Sequence, residues 1–74
     1  MPSLQDVLNV LESLNVHNGF VSKQELVNAI VALGHSPADA SVAVDDAINR
    51  GYILIEANGN LIITPPAPTS KFKP

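Results

Sequence analysis

The sequence predicts a mainly α-helical domain that ends in one small β-hairpin. Three observations carry this. Apolar residues recur at helical spacing in three stretches, each opened by a serine with an acidic residue three positions on. Gly34 and Gly51 close the second and third stretches. Asn58-Gly59 sits between two short runs rich in Ile and Leu, where a tight turn between strands needs residues that accept positive φ. The elements so read are helices over about 3–15, 22–33 and 36–50 and strands over 52–57 and 60–64.

A chain of 74 residues holds one domain, and at that length a single apolar core only just offsets chain entropy. No staple reinforces it. Cysteine is absent, so disulfides and thiolate metal sites are excluded, and His17 and His35 are too far apart in sequence to form a local ligand pair. Association with itself or with a partner is the stabiliser that remains. With 46% hydrophobic and 15% charged residues the chain is expected to fold. No apolar run approaches the roughly 20 residues of a membrane span, and the opening lacks the pattern of a signal peptide, so a cytoplasmic location without membrane contact is expected.

Formal net charge is -3, unevenly placed. Residues 1–64 hold all seven acids against Lys23 and Arg50, an excess of -5, while Lys71 and Lys73 put +2 on residues 65–74. Affinity for nucleic acid comes largely from cations that neutralise phosphates, and this body offers few.

In the first helix Ser3 and Asp6 make the capping pair, and Leu4, Val7, Leu8, Leu11 and Leu14 form one apolar stripe that ends in Asn15–Gly19. Phe20 and Val21 read as a short extended piece beside the hairpin. Ser22 and Glu25 form a capping box for the second helix, whose inner stripe is Leu26, Ile30 and Leu33, flanked by Val27 and Val31. Gly34, His35 and Ser36 make a three-residue turn into the third helix, where Ser36 caps, Pro37 takes the first helical position and Asp39 favours the positive end of the helix dipole. Ala40, Val44, Ala47 and Ile48 face inward with Ala43 beside them, and such small residues permit close helix packing.

A two-residue turn at Asn58-Gly59 places Glu56 opposite Leu61, Ile55 opposite Ile62, Leu54 opposite Ile63 and Ile53 opposite Thr64. One face then carries Ile53, Ile55, Ile62 and Thr64, the other Tyr52, Leu54, Glu56, Leu61 and Ile63. Both are apolar, so the second is either covered or a contact surface. From Pro65 the Pro-rich, basic residues 65–74 are expected to form an extended tail, leaving residues 1–64 as the domain.

Helix, short extended piece, helix, three-residue turn, helix and Asn-Gly hairpin together resemble a winged helix-turn-helix domain. The residues that carry the likeness are Ser22, Glu25, Gly34, Ser36 and Pro37, then Gly51, Tyr52, Ile53, Asn58, Gly59 and Leu61. They are signals of fold, not of activity. The superfamily includes transcription regulators, replication proteins and protein-docking modules, and the shortage of basic residues is most similar to the docking members, such as the winged helix at the end of the middle subunit of replication protein A.

Three functional classes follow. A DNA-binding regulator would use Ser41, Asn49 and Arg50 of the third helix, Lys23, the turn at Asn58, and Lys71 and Lys73 brought together by dimerisation. Only Asn49 and Arg50 on that helix have the chemistry that reads bases or grips phosphates, so duplex DNA is disfavoured. A catalytic site is not expected: both histidines are read as turn residues without a nucleophile beside them, Asp45 and Asp46 are adjacent and point about 100° apart on a helix, and the glycines are accounted for by caps and the turn. No cofactor, metal or small-molecule ligand is indicated. The third class, protein–protein contact, places the interface on Tyr52, Leu54, Leu61 and Ile63, with Val42 and Asp45 on the third helix. Val10 and Val42 fall off their helices' apolar stripes. The sequence thus points to a non-enzymatic, acidic module that works by protein contact, with itself or another protein, in transcription regulation or replication, with a small dimeric DNA-binding regulator as the alternative.

Overall fold

The computed structural model describes residues 1–64; the expected tail over 65–74, with Lys71 and Lys73, lies outside the described residues. Three helices, α1 (Leu4–Asn18), α2 (Lys23–Ala32) and α3 (Pro37–Asn49), precede two antiparallel strands, β1 (Ile53–Ile55) and β2 (Leu61–Ile63). This is the layout of a helix-turn-helix followed by a wing hairpin.

Each helix starts where its serine cap dictates. The Ser3 hydroxyl accepts from the Asp6 N–H at 3.1 Å and the Asp6 carboxylate accepts from the Ser3 N–H at 3.4 Å. Ser22 and Glu25 repeat the reciprocal pair at 3.1 Å in both directions. In α3 Ser36 accepts from the Asp39 N–H at 3.1 Å and Pro37 follows in the first turn. Three orphan amide groups are satisfied this way, one per helix.

The helix ends differ from expectation in two places. Helix α1 runs past Asn15 to Asn18, because Val16, His17 and Asn18 all tolerate helical backbone and Gly19, at φ 78°, is the first residue suited to leaving it. His17 therefore stands in the last helical turn and not in a loop. In α2 the final turn tightens, the Leu33 N–H reaching Ile30 at 3.0 Å, and this over-rotation carries Leu33 off the inner stripe to 63% exposure.

The core joins Val7 and Leu11 of α1, Val21 of the segment before α2, Leu26, Val27 and Ile30 of α2, Ala40, Ala43, Val44 and Ala47 of α3, and Ile53 and Leu61 of the strands. Val10, set off the α1 stripe by its spacing, packs against this core. Among the described residues no polar or charged side chain is buried. The alanines of α3 let its backbone lie close to its neighbours, as the sequence expected.

The hairpin register departs from the sequence reading by one residue. The Glu56 N–H donates to Asn60 C=O and the Gly59 N–H to Glu56 C=O, both at 2.8 Å, enclosing a three-residue loop of Ala57, Asn58 and Gly59. Only Gly59 has positive φ, at 89°, whereas the two-residue turn needs it at Asn58 as well. The chain instead makes a three-residue loop with glycine in the left-handed position. Ile53 then pairs with Ile63, Leu54 with Ile62 and Ile55 with Leu61. A one-residue slip turns every β2 side chain to the opposite face, so Leu61 and Ile63 point to the helices and Ile62 points away.

Phe20 and Val21 do lie beside the hairpin. The Leu61 N–H donates to Val21 C=O at 2.9 Å, although the piece does not become a third strand of the two-stranded sheet.

Candidate functional site

The surface of most interest is the outer face of the hairpin. Helix α3 ends in a double closure in which the Gly51 N–H reaches Ile48 C=O at 3.0 Å and the Tyr52 N–H reaches Ala47 C=O at 2.9 Å. That closure launches β1 at a fixed angle, and the Thr64 N–H, bonded to Tyr52 C=O at 3.0 Å, ties the hairpin shut at its base. Tyr52 and Leu54 are half-exposed on the outer face, and Ile62 stands opposite Leu54 with partial exposure. Ile55, near the tip, is exposed as well, because the hairpin there projects beyond the helices it covers.

The expected interface set is thereby revised. Tyr52 and Leu54 are exposed, but Leu61 is fully buried and Ile63 packs against the core. Ile62 takes their place. The turn count that assigned Leu61 and Ile63 to the outside assumed two loop residues, and with three the parity of β2 reverses. Ala57, next to an Asn-Gly pair and matched by Asn60 beyond it, is the residue whose loop membership decides between them.

Two asparagines that the sequence reading did not single out fix this face in place. Asn60 Oδ1 accepts from the Val21 N–H at 2.8 Å, its Nδ2 donates to Glu56 Oε1 at 2.8 Å, and its own N–H donates to Asn58 Oδ1 at 3.0 Å. Asn15 Nδ2 donates to Leu61 C=O at 3.0 Å. The wing is thus bolted to α1 and to the start of α2 by side-chain amides. Neither contact has a sequence signature, since the partners lie 46 and 39 residues apart.

The residues of the DNA alternative are arranged differently from a basic edge. Lys23 of α2 pairs with Asp45 of α3, and Arg50 Nε sits 3.0 Å from the Asp46 carboxylate one turn earlier. Both cations among the described residues other than the chain's amino group thus face an acid of α3. Ser41 is partly buried, Asn49 is exposed, and the Asn58 side chain is engaged by Asn60. These pairs are about half-exposed, so each contributes only about 0–1 kcal/mol to stability, but they lower the positive potential that a phosphate would meet.

Comparison with known proteins returned no matching family model, no matching curated protein and no matching solved structure. What the chain does must therefore be argued from its own surfaces.

Val42 and Asp45, the expected α3 contacts, lie apart in role. Asp45 is held by Lys23, whereas Val42 is 53% exposed and lines an open surface pocket of about 270 Å³ together with Met1, Pro2, Leu4, Ala43 and Asp46. His17 is exposed and His35 half-buried in the turn between α2 and α3. Among the described residues no group of three or more His, Asp or Glu side chains could hold a metal ion, and no helix is long and apolar enough to cross a membrane.

Proposed function

We propose that this chain is a non-enzymatic, acidic winged-helix module that acts by protein–protein contact through the outer face of its hairpin. The observation that carries the reading is the exposure of Tyr52, Leu54 and Ile62 on one side of a sheet whose other side sets Ile53 and Leu61 into the core. Free apolar side chains on a rigid two-stranded support are the raw material of an interface centre, with Tyr52 as its aromatic anchor. Glu56 at the rim and the formal excess of -5 on residues 1–64 favour a partner surface that is apolar with a basic margin. A regulatory or replication-associated role in the cytoplasm fits the winged-helix resemblance. The DNA alternative draws no comparable support, because Lys23 and Arg50 are both turned to acids of α3.

A photo-crosslinking side chain placed at position 54 tests this in an extract of the source cells. Discrete crosslinked species are expected from position 54 and not from Gln24, an exposed α2 residue on a polar face. Equal crosslinking from both positions, or none from either, refutes the reading. Titration with generic duplex DNA at low salt gives the complementary check: saturable micromolar binding that weakens steeply with added salt would establish the alternative instead.

A further inference from the structure

Among the described residues, the hydrogen bonds that tie the strands to the rest of the domain end on β2 and on Asn60 beside it. The Leu61 N–H and C=O meet Val21 and the Asn15 amide, and Asn60 Oδ1 holds the Val21 N–H. Strand β1 is held differently. No backbone bond joins Ile53, Leu54 or Ile55 to a helix, and their ladder runs to β2. The phase of β1 is set by one buried side chain, since Ile53 is 3% exposed against 48% for Leu54 and 49% for Ile55. Leu54 is the isomer of Ile53, and a volume-conserving aliphatic swap is among the changes a core tolerates best. A strand that is aliphatic at every position lacks the in-out alternation that specifies a register.

The turn sequence supplies a second state. Asn-Gly is a preferred pair for a two-residue turn, which needs positive φ at both residues; here only Gly59 has it, and Asn is one of the few other residues that reach it readily. We infer that β1 slides by one residue, about 3.4 Å, along a fixed β2, between the observed three-residue loop and a two-residue Asn58-Gly59 turn. In the slid form Leu54 takes the position of Ile53 in the core, Ile55 takes that of Leu54 on the outer face, and Glu56 takes that of Ile55. The slack falls between Gly51 and Leu54. Glu56 stays in water, because the position it enters is half-exposed beyond the helices. The slide gives up the Asn60 bonds to Glu56 Oε1 and Asn58 Oδ1, both exposed, and keeps the Val21 and Asn15 bonds.

The slide would regulate the proposed wing contact, because Leu54 leaves the outer face for the core. That consequence rests on the contact reading. The register exchange does not.

NMR of the full chain reads the register directly. Ile53 faces Ile63 and Ile55 faces Leu61 as non-hydrogen-bonded pairs, the closer kind in an antiparallel ladder; in the slid form Ile63 faces Leu54 and Leu61 faces Glu56. Chemical-exchange saturation transfer is expected to show a minor wild-type form at the hairpin resonances. Asn58→Gly should raise its population about fivefold, the factor that relief of left-handed strain at one residue supplies, and bring out a Leu54–Ile63 contact with the Val21 amide unmoved. Ile53→Ser, which keeps the serine out of the core only in the slid form, should retain a cooperative melt and make that form the major one. Asn58→Gly without the Leu54–Ile63 contact, or an Ile53→Ser chain that loses its cooperative melt, overturns the slide. So does a minor form in which the Val21 amide moves too, since the whole hairpin has then left the body. Crosslinking at position 54 reads the wing contact separately and stands in each of these cases.

Discussion

Replacing Asn60, the half-buried residue that closes the hairpin loop, by alanine removes a contact whose size the structure sets. The Val21 N–H, at 2.8 Å from Asn60 Oδ1, belongs to a residue with 0% exposure, so after truncation it has no acceptor and no ready access to water. A buried donor left unpaired costs about 1–3 kcal/mol. The Nδ2 bond to Glu56 is exposed and adds a fraction of that. Together they come to roughly 1–4 kcal/mol, which for a domain of this size lowers the thermal midpoint by about 4–32 °C. Asn60→Asp separates the causes. It keeps an acceptor for Val21, now charged and therefore stronger, while losing the donor to Glu56 and setting two exposed carboxylates side by side. Thermal and urea unfolding, followed by circular dichroism, should rank wild type above Asn60→Asp and Asn60→Asp well above Asn60→Ala. If Asn60→Ala costs less than about 0.5 kcal/mol, or if aspartate is as damaging as alanine, the Val21 contact does not hold the wing and the assignment is refuted.

The hairpin register and the capping boxes give further checks. Leu61→Ala, at a fully buried site, should cost about 2–5 kcal/mol, whereas Leu54→Ala should stay within about 0.5 kcal/mol in the same urea titration. Ile62→Lys should leave a cooperative melt and Ile63→Lys should not, since only Ile63 packs against the core; the reverse ranking would restore the two-residue turn. Ser22→Ala should lose about 1 kcal/mol by removing the acceptor for the Glu25 N–H, with Ser22→Thr largely retaining stability, and equal loss in both variants would remove the cap from the account.

How much was legible in the sequence follows from which signals were local. The three helix starts were readable because a serine and an acid three residues on satisfy orphan amides within one turn, and the structure shows each hydroxyl in place. Gly34 and Gly51 were readable for the same reason, as positions of positive φ. The length of α1 was not, because Asn15 to Asn18 hold no strict breaker and the helix simply continues to the first glycine. The hairpin register was undecided locally. Asn-Gly suits a two-residue turn, yet glycine alone also suits the last position of a three-residue loop, and the choice between them is made by what β2 buries. With three loop residues, Leu61 and Ile63 share a face with Ile53 over the helices, which places the two β2 residues that pack on the core beside the one β1 side chain that is buried there. The outer face was therefore recognised as a feature, but half of its members were exchanged. Asn15 and Asn60 could not be found at all, since an amide that bonds backbone some forty residues away leaves no periodic trace.

The acids of α3 bear on the DNA alternative. Asp45 engages Lys23 and links α2 to α3 across the helix-turn-helix, and Asp46 engages Arg50 within α3. A major-groove reader would need those two cations on phosphate, at the cost of leaving Asp45 and Asp46 unanswered beside the DNA. Each exposed pair is weak enough to break, but the released carboxylate is then a repulsive charge at the point of approach, and the penalty arises twice. The uncharged positions at the outer face, Tyr52, Leu54 and Ile62, carry no such penalty, and that contrast is a further ground for the proposed wing contact.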